Sequence, residues 1–448
     1  MSNLHRVSPV GRSGSAVGGW LFVLSTITWL CMVSAPASAI PAYARQLDVE
    51  CITCHTAYPQ LNAFGRAFKL RGYTDSAGDV PLYKKFALMT EPSLTHTSSD
   101  LADPPGDFRS NDNFAFTQTS LFFGGRIAGA AGAFVQATYD GIENHWSWDN
   151  TDLRVAGTTT IADKPLVFGI DANNNPSVQD IWNTTPAWSY PFSSSGLAET
   201  PAAATLIQSL GGQVGSLGAY GLWDDLVYLE LDGYGTLGDR ALRALGVSPD
   251  DVSAEIDGIA PYWRLALQHD WGAHYLAGGT FGMVAKTYPG GDHSAGTDRF
   301  EDIGVDLQYQ YSGARDDLAV RLSWIHEQQN LDASQRLQVA TNTSNELSTF
   351  NGSLGYLYDK RWGLTVGYSN LRGDADPAFY GTDKGSPDSS WATLQLDWLP
   401  YNKNGGPALW RWFNPKISLQ YVAYSRFDGT TTGASDNNTL YLQAWLVF

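Results

Sequence analysis

The chain has 448 residues, enough for one large barrel with a small added module or for roughly two to three ordinary domains. Its formal net charge of −17 leaves no basic footprint for a phosphate backbone, so no nucleic-acid partner is expected. Charged residues make only 16% of the chain, against about 25% in a soluble domain, while glycine (46 residues) and aromatics (13%) are abundant. That balance suits an all-β protein with an apolar outer surface.

Residues 1–39 read as an export signal. Arg6 and Arg12 supply the positive flank, and no acidic residue occurs before Asp48. The apolar run 20–33 is short and broken by Ser and Thr, and Ala37-Ser38-Ala39 follows as a small-residue cleavage pattern, with Ile40 as the expected start of the mature chain. An uncleaved N-terminal anchor is the alternative. Beyond Val33 there is no other long apolar run, so a membrane-embedded mature chain must cross with the strands of a closed barrel.

Cys51-Ile52-Thr53-Cys54-His55 is a C-x-x-C-H run, the attachment pattern of a c-type haem. Two thiols at this spacing reach the two vinyl groups of one porphyrin, and the adjoining imidazole of His55 falls beneath the iron as its proximal ligand. A redox-active disulfide would need a thioredoxin-like βαβ pattern, and a zinc site a second Cys/His pair at ligand spacing; neither is present. One covalent haem is the expected cofactor.

Residues 40–81 are expected to form the haem-bearing module, small for an independent core. Residues 58–73 suggest a short helix with Pro59 in its first turn and Gly72 near its end. Leu61, Phe64 and Phe68 share one apolar face, and Phe64 and Phe68 are expected to pack on the porphyrin. Arg45, Arg66, Lys69 and Arg71 form a basic cluster; Arg66, Lys69 and Arg71 are candidate partners of haem propionates, with acidic barrel walls the alternative. The module has no second His and no Met for the sixth position on iron. Met89, placed by alternation on the inward face of the first strand, is the first candidate, and His96 the runner-up; an open or water-bound site is a third reading.

From 82 to 448 the chain alternates with period two, and sixteen strands are expected near 83–97, 113–126, 131–141, 150–161, 165–172, 212–222, 224–234, 259–270, 273–287, 299–311, 317–329, 344–358, 361–372, 390–399, 415–427 and 438–448. Alternate connections are short, apart from a longer one at 400–414, and Phe448 ends an amphipathic strand. The expected fold is an all-β, about 16-stranded antiparallel outer-membrane barrel, plugged by the small helical module. A soluble β-sandwich would share the alternation but not the loop parity. The acids Asp100, Asp103, Asp107 and Asp112, with Asp298, Glu301 and Asp302, could concentrate a cation, or simply solvate loops.

Ala44-Arg45-Gln46, the C-x-x-C-H run, Pro59, Leu61, Phe64-Gly65-Arg66, Phe68-Lys69-Leu70 and Gly72-Tyr73 together resemble the fused monohaem cytochrome–porins of iron-oxidising bacteria. Asn173-Asn174-Asn175-Pro176, Gln179-Asp180, Trp182 to Pro186 and Trp188 resemble that family's long third extracellular loop. Leu47-Asp48 and Asn62-Ala63 stand where the family's pattern has Thr-Gly and Thr-Pro. The resemblance implies a bacterial outer-membrane protein that oxidises extracellular Fe(II) and passes the electron to a periplasmic c-type cytochrome. An electron conduit for another donor or direction, and a passive porin carrying an attached haem, are the alternative functions.

Overall fold

The computed structural model describes residues 41–76, 80–182, 192–249, 252, 254–382 and 384–448. The export signal expected over 1–39, the expected start at Ile40 and the loop stretch 183–188 lie outside the described residues.

Strand formation follows the alternation. The first strands are β1 (Phe86–Thr97), β2 (Asn113–Ala128), β3 (Ala131–Asp140), β4 (His145–Ile161) and β5 (Lys164–Asn173). β6 (Val214–Trp223), β7 (Val227–Thr236), the two-residue β8 (Glu255–Ile256), β9 (Ala260–Trp271) and β10 (His274–Tyr288) follow. The wall is completed by β11 (Asp298–Ser312), β12 (Asp317–Asn330), β13 (Ser344–Tyr358), β14 (Trp362–Gly373), β15 (Ser389–Trp398), β16 (Asn414–Arg426) and β17 (Thr439–Val447). β8 pairs only at the end of β10, and β7 pairs directly with β9, so sixteen strands make the wall. β1 pairs antiparallel with both β2 and β17, Met89 standing opposite Val447, and the sheet closes on itself. Closure leaves no open edge of unpaired backbone.

The two faces are inverted relative to a soluble protein. In β11, Ile303, Val305 and Leu307 are exposed while Asp302 is buried; in β7, Leu229 and Leu231 are exposed while Glu230 and Asp232 are buried. Exposed Trp223, Trp271, Tyr358 and Trp362 gather where strands end in short turns, and exposed Trp398 pairs opposite Trp362 at the same end. An apolar belt with an aromatic rim and a polar interior is what hydrocarbon requires of a strand-built span. The chain is therefore a closed, membrane-spanning β-barrel.

Connections at 129–130, 162–163, 224–226, 272–273, 313–316 and 359–361 are short and lie at one end. Those at 98–112, 174–213, 331–343 and 374–388 are long and lie at the other. The link 141–144 is also short: Asp140 Oδ1 accepts from the Ile142 and Glu143 amides at 2.7 and 3.0 Å, closing a tight turn.

The N-terminal segment 41–76 sits in the lumen toward the short-turn end. It contains a helix Pro41–Leu47, a 3-10 turn Cys51–Thr53 and a helix Ala63–Leu70. Anchors reach it from around the wall: the Tyr43 hydroxyl donates to Ala133 O (3.0 Å), Tyr73 to Asp152 (2.6 Å), and Tyr220 to Leu70 O (2.6 Å). On the opposite side Arg66 reaches Gln310 (2.9 Å), and Asn402 Nδ2 donates to Thr56 O (2.8 Å). The helix expected over 58–73 starts later than its apolar pattern suggests. Asn62 is its N-cap, accepting from the Gly65 amide at 3.0 Å, so Pro59 precedes the helix rather than entering its first turn.

The long loop after β5 also turns inward. Asn175 caps a short helix Pro176–Gln179, its side chain accepting from Ser177 N at 2.9 Å. Further on, the Leu206 and Ile207 amides donate to Glu327 (2.5 Å) and Asp302 (2.8 Å), and Ser193 N donates to Gln395 (2.8 Å). The loop thus crosses the lumen from its root on β5 to β11, β12 and β15.

Candidate cofactor site

Between the N-terminal segment and the wall lies an apolar cavity with about 1360 Å³ of empty space, counting its open mouth. Cys51, Cys54 and His55 line it, and so does Met89 of β1, which is 1% exposed. The local geometry is set by a turn: the Cys54 and His55 amides both donate to Cys51 O at 3.1 Å. Gly65 of the following helix packs on this turn so closely that an added Cβ would overlap the Cys54 carbonyl. Asn62 ties the turn from the other side, its Nδ2 donating to Ile52 O (3.2 Å) and Thr53 O (3.0 Å).

His55 Nδ1 lies 3.2 Å from Pro59 O; donation there leaves the lone pair on Nε2. Desolvation pulls the imidazole down to about 4, so it is neutral and available as a ligand near pH 7. Burial pushes the Cys54 thiol up to about 12 and the Cys51 thiol upward as well. Both are therefore unionised thiols, and neither is in a disulfide. The remaining walls are Phe68, Tyr73, Phe122, Phe134, Tyr58, Trp182 and Trp445. Phe68 meets Tyr43 and Tyr73 edge-on at 5.0 and 5.8 Å. Trp445 Nε1 and Gln308 Oε1 line the cavity, are buried, and have no hydrogen-bond partner among the described residues. Two thiols, an imidazole, a thioether and orphaned polar atoms facing one apolar space are a donor set that fits a covalently held haem.

Other expected site residues are placed elsewhere. Phe64, on the outer side of its helix, is 41% exposed and does not line the cavity, whereas Phe68 and Leu61 do. Arg66 turns to Leu61 O, Gln310 and the face of Tyr275, 3.5 Å from its centroid. Arg71 pairs with Asp75. Only Lys69 of the three expected propionate partners lines the cavity, held by Val178 O and by Asp152 at 3.5 Å. Burial lowers its pKa, and the nearby Asp152 carboxylate opposes that shift. Arg321 of β12 also lines the cavity and donates to Trp182 O at 3.2 Å. His96 is corrected as a ligand candidate: it lies on the outward face of β1, is exposed, and meets Asp112 at 2.8 Å.

The acids expected to concentrate cations divide in the same way. Asp298 accepts from the Ala333 and Ser334 amides at 2.8 and 3.1 Å, Asp302 caps Ile207, and Glu301 pairs with Arg299. These are structural caps and pairs. Asp306 pairs with Arg264, which also lies 3.8 Å from Asp180 and 4.6 Å from the Trp182 ring centroid. Arg264 thereby clamps the inward loop over the cavity. Arg264→Ala removes the cation that Asp180 and Asp306 share in a buried setting and should cost about 3–5 kcal/mol. Denaturant unfolding in detergent checks this; an unchanged midpoint refutes the clamp.

No protein-family model and no curated protein matches the chain. Among solved structures it is similar to OmpT, an outer membrane protein of Vibrio cholerae, at 10% identity and TM-score 0.41 over 81% of this chain and 96% of that one. It is also similar to an anion-selective porin from Comamonas acidovorans, at 9% identity and TM-score 0.44 over 81% and 98% of the two chains. Salmonella typhi OmpF is similar at 12% identity and TM-score 0.45, over 81% and 97%. These likenesses concern the fold alone.

Proposed function

We propose that this chain is an exported outer-membrane protein with one covalent haem inside its barrel, and that it passes single electrons from extracellular Fe(II) to a periplasmic c-type cytochrome. The observation carrying the proposal is the convergence of Cys51, Cys54, His55 and Met89 on one cavity enclosed by a membrane-spanning wall. When bound there, haem supplies a one-electron relay.

This chain's own residues do the rest. Cys51 and Cys54 would hold the group covalently, Pro59 O orients the His55 ring through Nδ1, and the Phe68, Phe122 and Phe134 rings would exclude water. Met89 is the sixth-ligand candidate, and a thioether there raises the potential. Met89→Ala should lower the potential, within the roughly 0.8 V span that axial ligands command, and alter the ferric spectrum. Spectra indistinguishable from those of the parent would rule Met89 out.

Both departures from the resembled family's pattern preserve local geometry, which supports the family reading. Asp48 stands at a left-handed φ of 57°, a conformation glycine adopts freely and Asp tolerates. Asn62 is as good an N-cap as Thr, and Ala63 takes the first helical position as Pro would.

The deciding experiment uses vesicles carrying the full chain, with oxidised cytochrome c sealed on the periplasmic side. Each external Fe²⁺ that becomes Fe³⁺ should deliver one electron and reduce one trapped ferric cytochrome. No reduction above protein-free vesicles overturns the proposal.

A further inference from the structure

We propose that Asp171, Glu230 and Asp232 form a site for a hard divalent cation inside the barrel wall, apart from the thiol–imidazole cavity. Asp171 of β5 and Asp232 of β7 both stand opposite Gly218 of β6. The intervening glycine is what lets them converge: an added Cβ there would overlap Asp232 Oδ1. Glu230 lies two residues from Asp232 on the same inward face. One oxygen from each of the three lies within 4.8 Å of the other two.

The three are 1%, 0% and 6% exposed in the order Asp171, Glu230, Asp232. Buried carboxylate oxygens require donors or a counter-charge. With its amide turned to donate, Gln179 serves Glu230 at 2.6 and 2.9 Å. Among the described residues, neither Asp232 oxygen nor Asp171 Oδ1 accepts from a donor group outside the cluster. The Tyr228 hydroxyl, fully buried on the same inward face of β7, has no hydrogen-bond partner among them either. Arg154 stands opposite Asp171 in the register, but its Nε is bound to Asp152 at 2.9 Å and its Nη2 to Gln179 O at 2.6 Å. Ionised together, the three carboxylates exceed the one shared guanidinium, and a divalent cation would supply the missing counter-charge. An all-carboxylate set without thiolate or imidazole selects an oxygen-loving ion of the Mn²⁺, Fe²⁺ or Ca²⁺ kind.

The site does not depend on the haem proposal, so Mn²⁺ is the probe. The full chain, purified in detergent and stripped with chelator, is titrated with Mn²⁺ while electron paramagnetic resonance reads the free ion. One tight equivalent per chain is expected. Asp171→Asn and Asp232→Asn preserve shape and remove charge, and each should weaken binding ~10- to 100-fold, at least what loss of an outer-shell partner costs. Asp103→Asn, in an outer loop, should leave it unchanged. Heat-modified migration on gels confirms that each variant barrel is folded. All Mn²⁺ remaining free with the parent, or equal retention by the Asp171→Asn/Asp232→Asn double variant, overturns the site.

Discussion

Replacing Cys51 with Ser should leave a folded barrel whose haem stain after denaturation is greatly weakened, and the Cys51→Ser/Cys54→Ser double variant should show none. The argument is chemical. Only a thioether survives denaturation, and these are the thiols that face the cavity. The closed sheet makes no use of either sulfur: its β1–β17 seam is backbone pairing from Met89 to Thr97, reinforced by reciprocal bonds between Leu88 and Phe448 at 3.0 and 2.7 Å. Loss of haem should therefore leave gel mobility barrel-like. Haem-attachment-competent cells that yield a parent chain of apoprotein mass would sink the idea.

The wall was legible because its physics is local. Period-two alternation places the limits of strands such as 344–358 and 317–330 within a residue or two of where they stand. Inward parity also sends Met89 to the lumen. The interior was far less legible. Apolar spacing puts Leu61, Phe64 and Phe68 on one face, but it cannot say that Asn62 will start the helix and leave Phe64 outside. Basic residues near a haem motif suggest propionate partners. The choice of Gln310 and Tyr275 by Arg66 rests on strands some 200 residues away, where no sequence spacing points. Trp182, Trp445 and Arg321 meet only through the inward fold of the loop after β5 and barrel closure. Asp171 and Asp232 each look like an ordinary lumen acid until register sets both beside Gly218. Among these, the Asn-rich start of the loop was the one usable signal, since Asn at a helix cap announces a built turn rather than a slack connection.

The His55→Ala variant should abolish electron delivery to cytochrome sealed inside vesicles while keeping the barrel closed to solutes. His55 makes none of the bonds that anchor segment 41–76, which include those of Tyr43, Tyr58, Tyr73 and Arg66, the Tyr220 bond to Leu70 O and the Asn402 bond to Thr56 O. On the proposed reading Cys51 and Cys54 would still attach the group, and segment 41–76 would stay seated in the lumen. What is lost is the imidazole whose tautomer Pro59 sets, and with it the proximal position on the iron. External Fe²⁺ should then reduce the trapped cytochrome no faster than through protein-free vesicles, and conductance should remain as low as in the parent. The pairing of the two readouts separates the functions. A relay predicts lost transfer with unchanged conductance. Equal reduction by His55→Ala, or large steady conductance in the parent, would mean that ions and not electrons cross, and the chain would be a porin.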